Sequence, residues 1–135
     1  MIVKFSDEWF REYCKSINSD EKYRNNGKGW KWSVTFSIAG DQGSRYLKQG
    51  LNRIVKMKLK EGRCEGIELL SSESIPLDEY LLKGKASVWE SIIDGKTSII
   101  NAMLKGDLKV TGDVRTLTKY IPAANDLARI ASGVK

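Results

Sequence analysis

Residues 80–112 read YLLKGKASVWESIIDGKTSIINAMLKGDLKVTG, and the apolar period changes twice inside that stretch. Its first residues complete a strand predicted over Leu77–Gly84, with Tyr80 and Leu82 on a shared face. From Ser87, read as a helix cap, the spacing lengthens to about 3.6 residues. Val88, Trp89, Ile92 and Ile93 form one stripe, and Gly95 ends that helix. A second short helix over Ser98–Leu104 repeats the stripe in Ile99, Ile100, Met103 and Leu104, and Gly106 ends it. Leu108–Thr111 then returns to a short strand.

Upstream, Ser6–Ile17 places Trp9, Phe10, Tyr13, Cys14 and Ile17 on one helical face, with Ser6 as N-cap and Asp7 and Glu8 in the first turn. A helical turn over Asp20–Asn25 follows, and Asn26-Gly27 breaks it. Trp30–Ala39 is the clearest strand: Trp30, Trp32, Val34, Phe36 and Ile38 alternate with Lys31, Ser33, Thr35 and Ser37. Gly40–Gly43 is a turn. Asn52–Lys60 is a strand with Val55, Met57 and Leu59 opposite Lys56, Lys58 and Lys60, and Glu61-Gly62 closes a hairpin into Arg63–Leu69. Ser71–Pro76 is a loop. Downstream, Asp113 caps a helical region reaching Ser132, which Pro122 divides. Its stripe is Val114, Leu117, Ile121, Leu127, Ile130 and Ala131. The layout is α+β: a five-stranded, mainly antiparallel sheet with amphipathic helices over one face.

The chain has 135 residues, 41% hydrophobic and 30% charged. This reads as one folded domain over 1–135, long enough to bury a core without disulfides or a structural metal. No apolar run is long enough for a membrane span or a secretory leader, so a cytoplasmic protein is expected. Histidine is absent, which removes Ser-His and Cys-His nucleophile pairs and any histidine base. Cys14 and Cys64 form neither a CxxC motif nor a four-ligand zinc site. Both read as free packing thiols; a disulfide between them is open in principle but unneeded at this size. No catalytic or metal constellation emerges, and the glycine clusters at 27–29 and 40–43 lack the context of a nucleotide loop. A non-enzyme without cofactor is expected.

Lysine and arginine total 23 against 17 acids, a net charge of +6. Arg45, Lys48, Arg53, Lys56, Lys58, Lys60 and Arg63, interrupted by Glu61 alone, carry the whole excess. The stripe has two readings: a docking surface for an anionic partner, or a solvated sheet face. The apolar helix stripes also have two: ordinary core, or the wall of a cavity that a ligand completes.

The segment 80–112 strongly resembles the sterol carrier protein type 2 family of lipid-transfer domains. Gly84, Ser87, Trp89, Gly95-Lys96, Met103 and the run Gly106-Asp107-Leu108-Lys109-Val110-Thr111-Gly112-Asp113 follow the family's order, and the flanking strands and helix extend the likeness along the chain. Thr97-Ser98 stands where many members carry Asp-Pro; both versions start a helix. The chain ends Ala131-Ser132-Gly133-Val134-Lys135, without the peroxisomal tripeptide that many eukaryotic members carry.

The resemblance implies an apolar tunnel between sheet and helices that takes fatty acid, fatty acyl-CoA, phospholipid or sterol, with no catalytic residues. Trp32, Val34 and Phe36 are expected in its floor, and Trp89, Ile92, Ile99, Ile100, Met103, Leu104, Leu117 and Ile121 in its roof. Arg53, Lys56, Lys58 and Lys60 are expected to meet an anionic headgroup or membrane. A ligand-sized pocket holds roughly 300 Å³; left unfilled it would cost about 7 kcal/mol, so filling, hydration or partial collapse is expected. The rival reading is an accessory module that presents acyl-CoA to a partner enzyme or docks on it. Nucleic-acid binding through Trp30 and Trp32 requires those rings to be exposed beside the lysines, whereas the alternation puts them on an apolar face.

Overall fold

Val34–Ala39 (β1) occupies the middle of a five-stranded sheet because its neighbours saturate both of its edges. On one side it pairs antiparallel with β2 (Asn52–Lys60), Val34 opposite Met57 and Phe36 opposite Val55. On the other it pairs parallel with β4 (Tyr80–Lys85), Val34 level with Tyr80 and Ile38 with Gly84. β3 (Arg63–Leu69) extends the sheet beyond β2 and β5 (Leu108–Thr111) beyond β4, both antiparallel, giving the order β3-β2-β1-β4-β5. The α+β class and the mostly antiparallel sheet agree with the sequence reading, with β1–β4 the one parallel pair. The structure, a computed structural model, describes residues 2–135; Met1, which begins the expected 1–135 domain, lies outside them.

The helices are α1 (Asp7–Asn18), α2 (Glu21–Asn26), α3 (Ala86–Ile93), α4 (Ile99–Leu104), α5 (Val114–Thr118) and α6 (Ile121–Ser132). Local chemistry starts most of them. The side chains of Ser6, Asp20, Ser98 and Asp113 accept backbone N–H groups at the starts of α1, α2, α4 and α5, satisfying otherwise orphaned donors. Pro122 sits in the first turn of α6, where its missing N–H costs nothing.

Three sequence readings are corrected. The first strand begins at Val34, not Trp30. The Trp30 carbonyl accepts the Glu61 N–H at 2.8 Å and its indole donates to the Trp32 carbonyl at 2.7 Å, so this stretch ties to the hairpin tip instead of the ladder. Gly62 at that tip has φ +76°, and a Cβ there would lie 2.3 Å from the Arg24 carbonyl, which excludes any larger residue. The fourth strand likewise begins at Tyr80, leaving Leu77 fully exposed.

The second correction is at α3. Ser87 is not its N-cap; that position is Lys85, without a side-chain cap bond. Asp41, from the β1–β2 connection, supplies the acceptor instead, taking the Ser87 N–H at 3.0 Å and hydroxyl at 2.5 Å. Burial pushes the Asp41 carboxyl upward, but these bonds, the Gly43 N–H and Lys85 outweigh it and hold the group below its ordinary range.

The third correction is the cysteines. Cys14 on α1 and Cys64 on β3 form a disulfide. Asn18, one turn further along α1, accepts the Cys64 N–H and donates to its carbonyl, both at 2.8 Å. Residues fifty apart in sequence meet because α1 folds back over β3, which spacing alone does not reveal.

Candidate ligand-binding cavity

Val34, Phe36 and Ile38 project from one face of β1, joined by Leu59 of β2 and Leu82 of β4, because alternation and register set all five on the same side. Opposite this floor stand Trp9, Phe10 and Tyr13 of α1 and Trp89, Ile92 and Ile93 of α3, with Ile99 at the start of α4. Leu117 and Tyr120 also line the cavity. α6 adds Ala123, Ala124, Leu127, Ala128 and Ala131, a wall of mostly small side chains. The space enclosed is about 90 Å³, under a third of the roughly 300 Å³ expected of a ligand-sized pocket. Left unfilled, a void of that size costs about 2 kcal/mol.

The α6 wall is held by polar ties to α1 and α2. The Tyr13 hydroxyl donates to the Leu127 carbonyl at 2.8 Å, and burial pushes that phenol well above its usual range, so it stays protonated. Arg129 forks onto Asp20 with two bonds of 2.9 Å, while Asn26 donates to buried Asp126 at 2.7 Å. The Arg129 bond holds the Asp20 carboxyl below its ordinary range. Burial, with the Asp126 charge nearby, pushes the Tyr23 phenol up to about 12. α3 is gripped by buried Glu90, which takes the Ser44 hydroxyl and the Arg45 N–H. A wider, polar groove lined by Asp94, Asn125, Arg129 and Ser132 shares Ile92, Ile93, Ile99 and Ala128 with the cavity.

A family model described as the SCP-2 sterol transfer family matches residues 10–125. The chain belongs to that family. A crystal structure of sterol carrier protein 2 superposes with a TM-score of 0.83 at 23% identity, covering 98% of this chain and 99% of its own. The solution structure of a conserved hypothetical protein from Thermus thermophilus gives 0.82 at 23% identity, covering 96% and 88%. A double mutant of a sec-alkyl sulfatase has a similar fold in part, with a TM-score of 0.55, 16% identity, and coverage of 87% of this chain but 16% of its own. Curated protein sequences yield no significant match. SCP-2 domains bind or transfer lipids and are generally non-catalytic.

In this SCP-2 chain the expected tunnel residues divide. Val34, Phe36, Trp89, Ile92, Ile99 and Leu117 line the cavity; Trp32, Ile100, Met103, Leu104 and Ile121 do not. Trp32 packs edge-on against Trp30, with ring centroids 5.0 Å apart. α4 has only six residues, so its inward arc holds Ile99 and Ala102, and Leu104 emerges 81% exposed. Ile121 is half-buried at the first turn of α6. The aromatic face of α1 was visible in the sequence as a stripe without a stated partner. The α6 alanines gave no such signal, because alanine periodicity is weak in hydropathy. Of the basic residues, Arg53, Lys58 and Lys60 are exposed, whereas Lys56 is largely covered and lies 3.2 Å from Glu79. Among the described residues no acidic or cysteine cluster is placed to hold a metal ion, and no helix is long and apolar enough to cross a membrane.

Proposed function

We propose that this SCP-2 chain, acting as a single lipid-binding domain in the cytoplasm, holds the apolar part of a fatty acid, fatty acyl-CoA, phospholipid or sterol between sheet and helices. It carries that lipid without chemical change. The observation behind this reading is the cavity wall: aliphatic and aromatic side chains from both layers, with no charged residue among them. Burial yields roughly 0.8 kcal/mol per methylene, so a sixteen-carbon chain offers about 12 kcal/mol gross, cut heavily by association and ordering costs. The walls stand too close for such a chain, so filling the cavity with one requires them to part.

Exposed Arg53, Lys58 and Lys60 supply the anionic contact, each worth about 1 kcal/mol near an acidic leaflet. Lys56 contributes less because Glu79 engages it. Presentation of acyl-CoA to a partner enzyme is the second reading, favoured by the sulfatase whose larger chain includes a similar fold.

Native mass spectrometry of the freshly purified protein, followed by lipid extraction, tests the proposal. A copurified lipid, or a rise in melting temperature with C14–C18 fatty acid or acyl-CoA, is expected. Neither mass shift nor thermal shift at saturating lipid would sink the cavity reading.

A further inference from the structure

Among the described residues, the cavity wall contains one fully buried polar side-chain atom without a hydrogen-bond partner. Trp9 lines the cavity and is 2% exposed, and its buried indole Nε1–H has no hydrogen-bond partner among the described residues. The neighbouring rings of Phe5 and Phe10 meet Trp9 at centroid distances of 5.6 and 4.9 Å, both near perpendicular. Ring faces are second-order acceptors and do not replace an oxygen. The other two indoles of the wall and the Tyr13 phenol are satisfied: Trp30 donates to the Trp32 carbonyl at 2.7 Å, Trp89 to the Ser37 carbonyl at 3.3 Å, and Tyr13 to the Leu127 carbonyl. The remaining buried atoms without a hydrogen bond belong to Thr35 and Glu79, away from the cavity lining, and Glu79 is ion-paired with Lys56.

Charge narrows what can meet this donor. No lysine, arginine or acid lines the cavity, and the chain has no histidine. A carboxylate or phosphate drawn inside would shed its hydration with no cation to compensate. A neutral oxygen loses far less and returns one bond to a buried donor that otherwise has none.

We propose that Trp9 is a specificity-determining residue, donating its indole N–H to a neutral oxygen on the bound lipid, such as an alcohol, ketone or ester carbonyl. Charged headgroups remain outside the cavity. This rests on the lipid-binding reading and adds a preference that an apolar wall alone does not supply.

The test uses the full chain freed of lipid, with 1-dodecanol, dodecane and dodecanoate as probes. Trp9→Phe removes the N–H and keeps an aromatic ring. It is expected to lower 1-dodecanol affinity about three- to tenfold and dodecane affinity less than twofold. In ¹⁵N–¹H spectra the indole peak missing from Trp9→Phe should move downfield in the wild type with 1-dodecanol, and not with dodecane or with dodecanoate at pH 7. Equal losses for both neutral probes, or an unmoved indole peak at saturating 1-dodecanol, would overturn the Trp9 assignment and leave the lipid cavity standing. If no probe binds either protein, the lipid-binding reading fails and the proposal with it. Should Trp9→Phe not fold, the wild-type indole peak, assigned through its contacts to Phe5 and Phe10, decides alone.

Discussion

The two faces of the sheet differ in chemistry: helices cover one, and the other, where Lys58, Lys60 and Lys83 stand exposed, is covered only in part. On the cavity face, Val34, Phe36, Ile38 and Leu82 meet helices through dispersion and apolar burial. On the other face, Thr35 and Ser37 are buried just as deeply, at 0% and 4% exposure, yet the cover over Ser37 is polar. Residues 70–79 bring Glu73 to the Ser37 hydroxyl at 2.5 Å and to Lys83 at 2.9 Å, and Glu79 to Lys56. Directional bonds fix one arrangement, whereas apolar contacts tolerate several. The sheet therefore has one face that can yield to a ligand and one that keeps the strands in register while it does.

The largest expected break is on the yielding side. Leu82→Ala enlarges the cavity and is expected to cost about 2–5 kcal/mol, as large-to-small core changes do, read by urea unfolding. A C16 fatty acid should restore part of that loss by filling the added space. A cost below about 1 kcal/mol would mean that the cavity face is already loosely packed. Next comes the tie that holds α1 above β3. Reducing the Cys14–Cys64 disulfide, or replacing Cys14 by serine, is expected to cost about 2–4 kcal/mol by releasing a loop of this length in the unfolded chain. The same change should speed lipid uptake, because α1 supplies Trp9, Phe10 and Tyr13 to the wall.

On the fixed side, Thr35→Val tests whether polar cover is needed at every position. The Thr35 hydroxyl is buried without a partner, so valine is expected to stabilise by about 1 kcal/mol and leave lipid affinity alone. The smallest effect is that of pH. Bonds from the Ser37 hydroxyl and then Lys83 hold the Glu73 carboxyl below its ordinary range. A depressed folded value means that the unfolded chain takes up the proton first. The contribution is therefore complete above the unfolded glutamate value of about 4.3 and drains as pH falls through the folded one. Glu73 is partly exposed, so solvent screens this contribution. Glu73→Gln should flatten the acid limb of the stability profile; an unchanged limb would assign acid sensitivity to Asp20 and Asp41 instead.

Much of this was legible because it is local. Period two in 34–38 and 52–60, period 3.6 in 7–17 and 99–104, and caps at Ser6 and Asp113 are set by residues a few positions apart. The ordered residues 84–113 carried the family for the same reason. Six of the proposed tunnel residues reach the cavity: Val34 and Phe36 through strand alternation, Trp89 and Ile92 through the phase of α3, and Ile99 and Leu117 through the way the short α4 and α5 pack. Met103 and Leu104 do not, because α4 is less than two turns long and its rotation is set by what it packs against.

The sequence alone determined the elements, the α+β class, the family and the lack of any histidine-based chemistry, since these depend on composition and near neighbours. Tertiary structure decided which strand lies beside which, that Cys14 meets Cys64, that Asp41 instead of Ser87 caps α3, and that Lys56 faces Glu79. It also left the Trp9 indole without an acceptor inside an apolar wall. Each of these joins residues far apart along the chain, and only its three-dimensional path brings them within bonding distance.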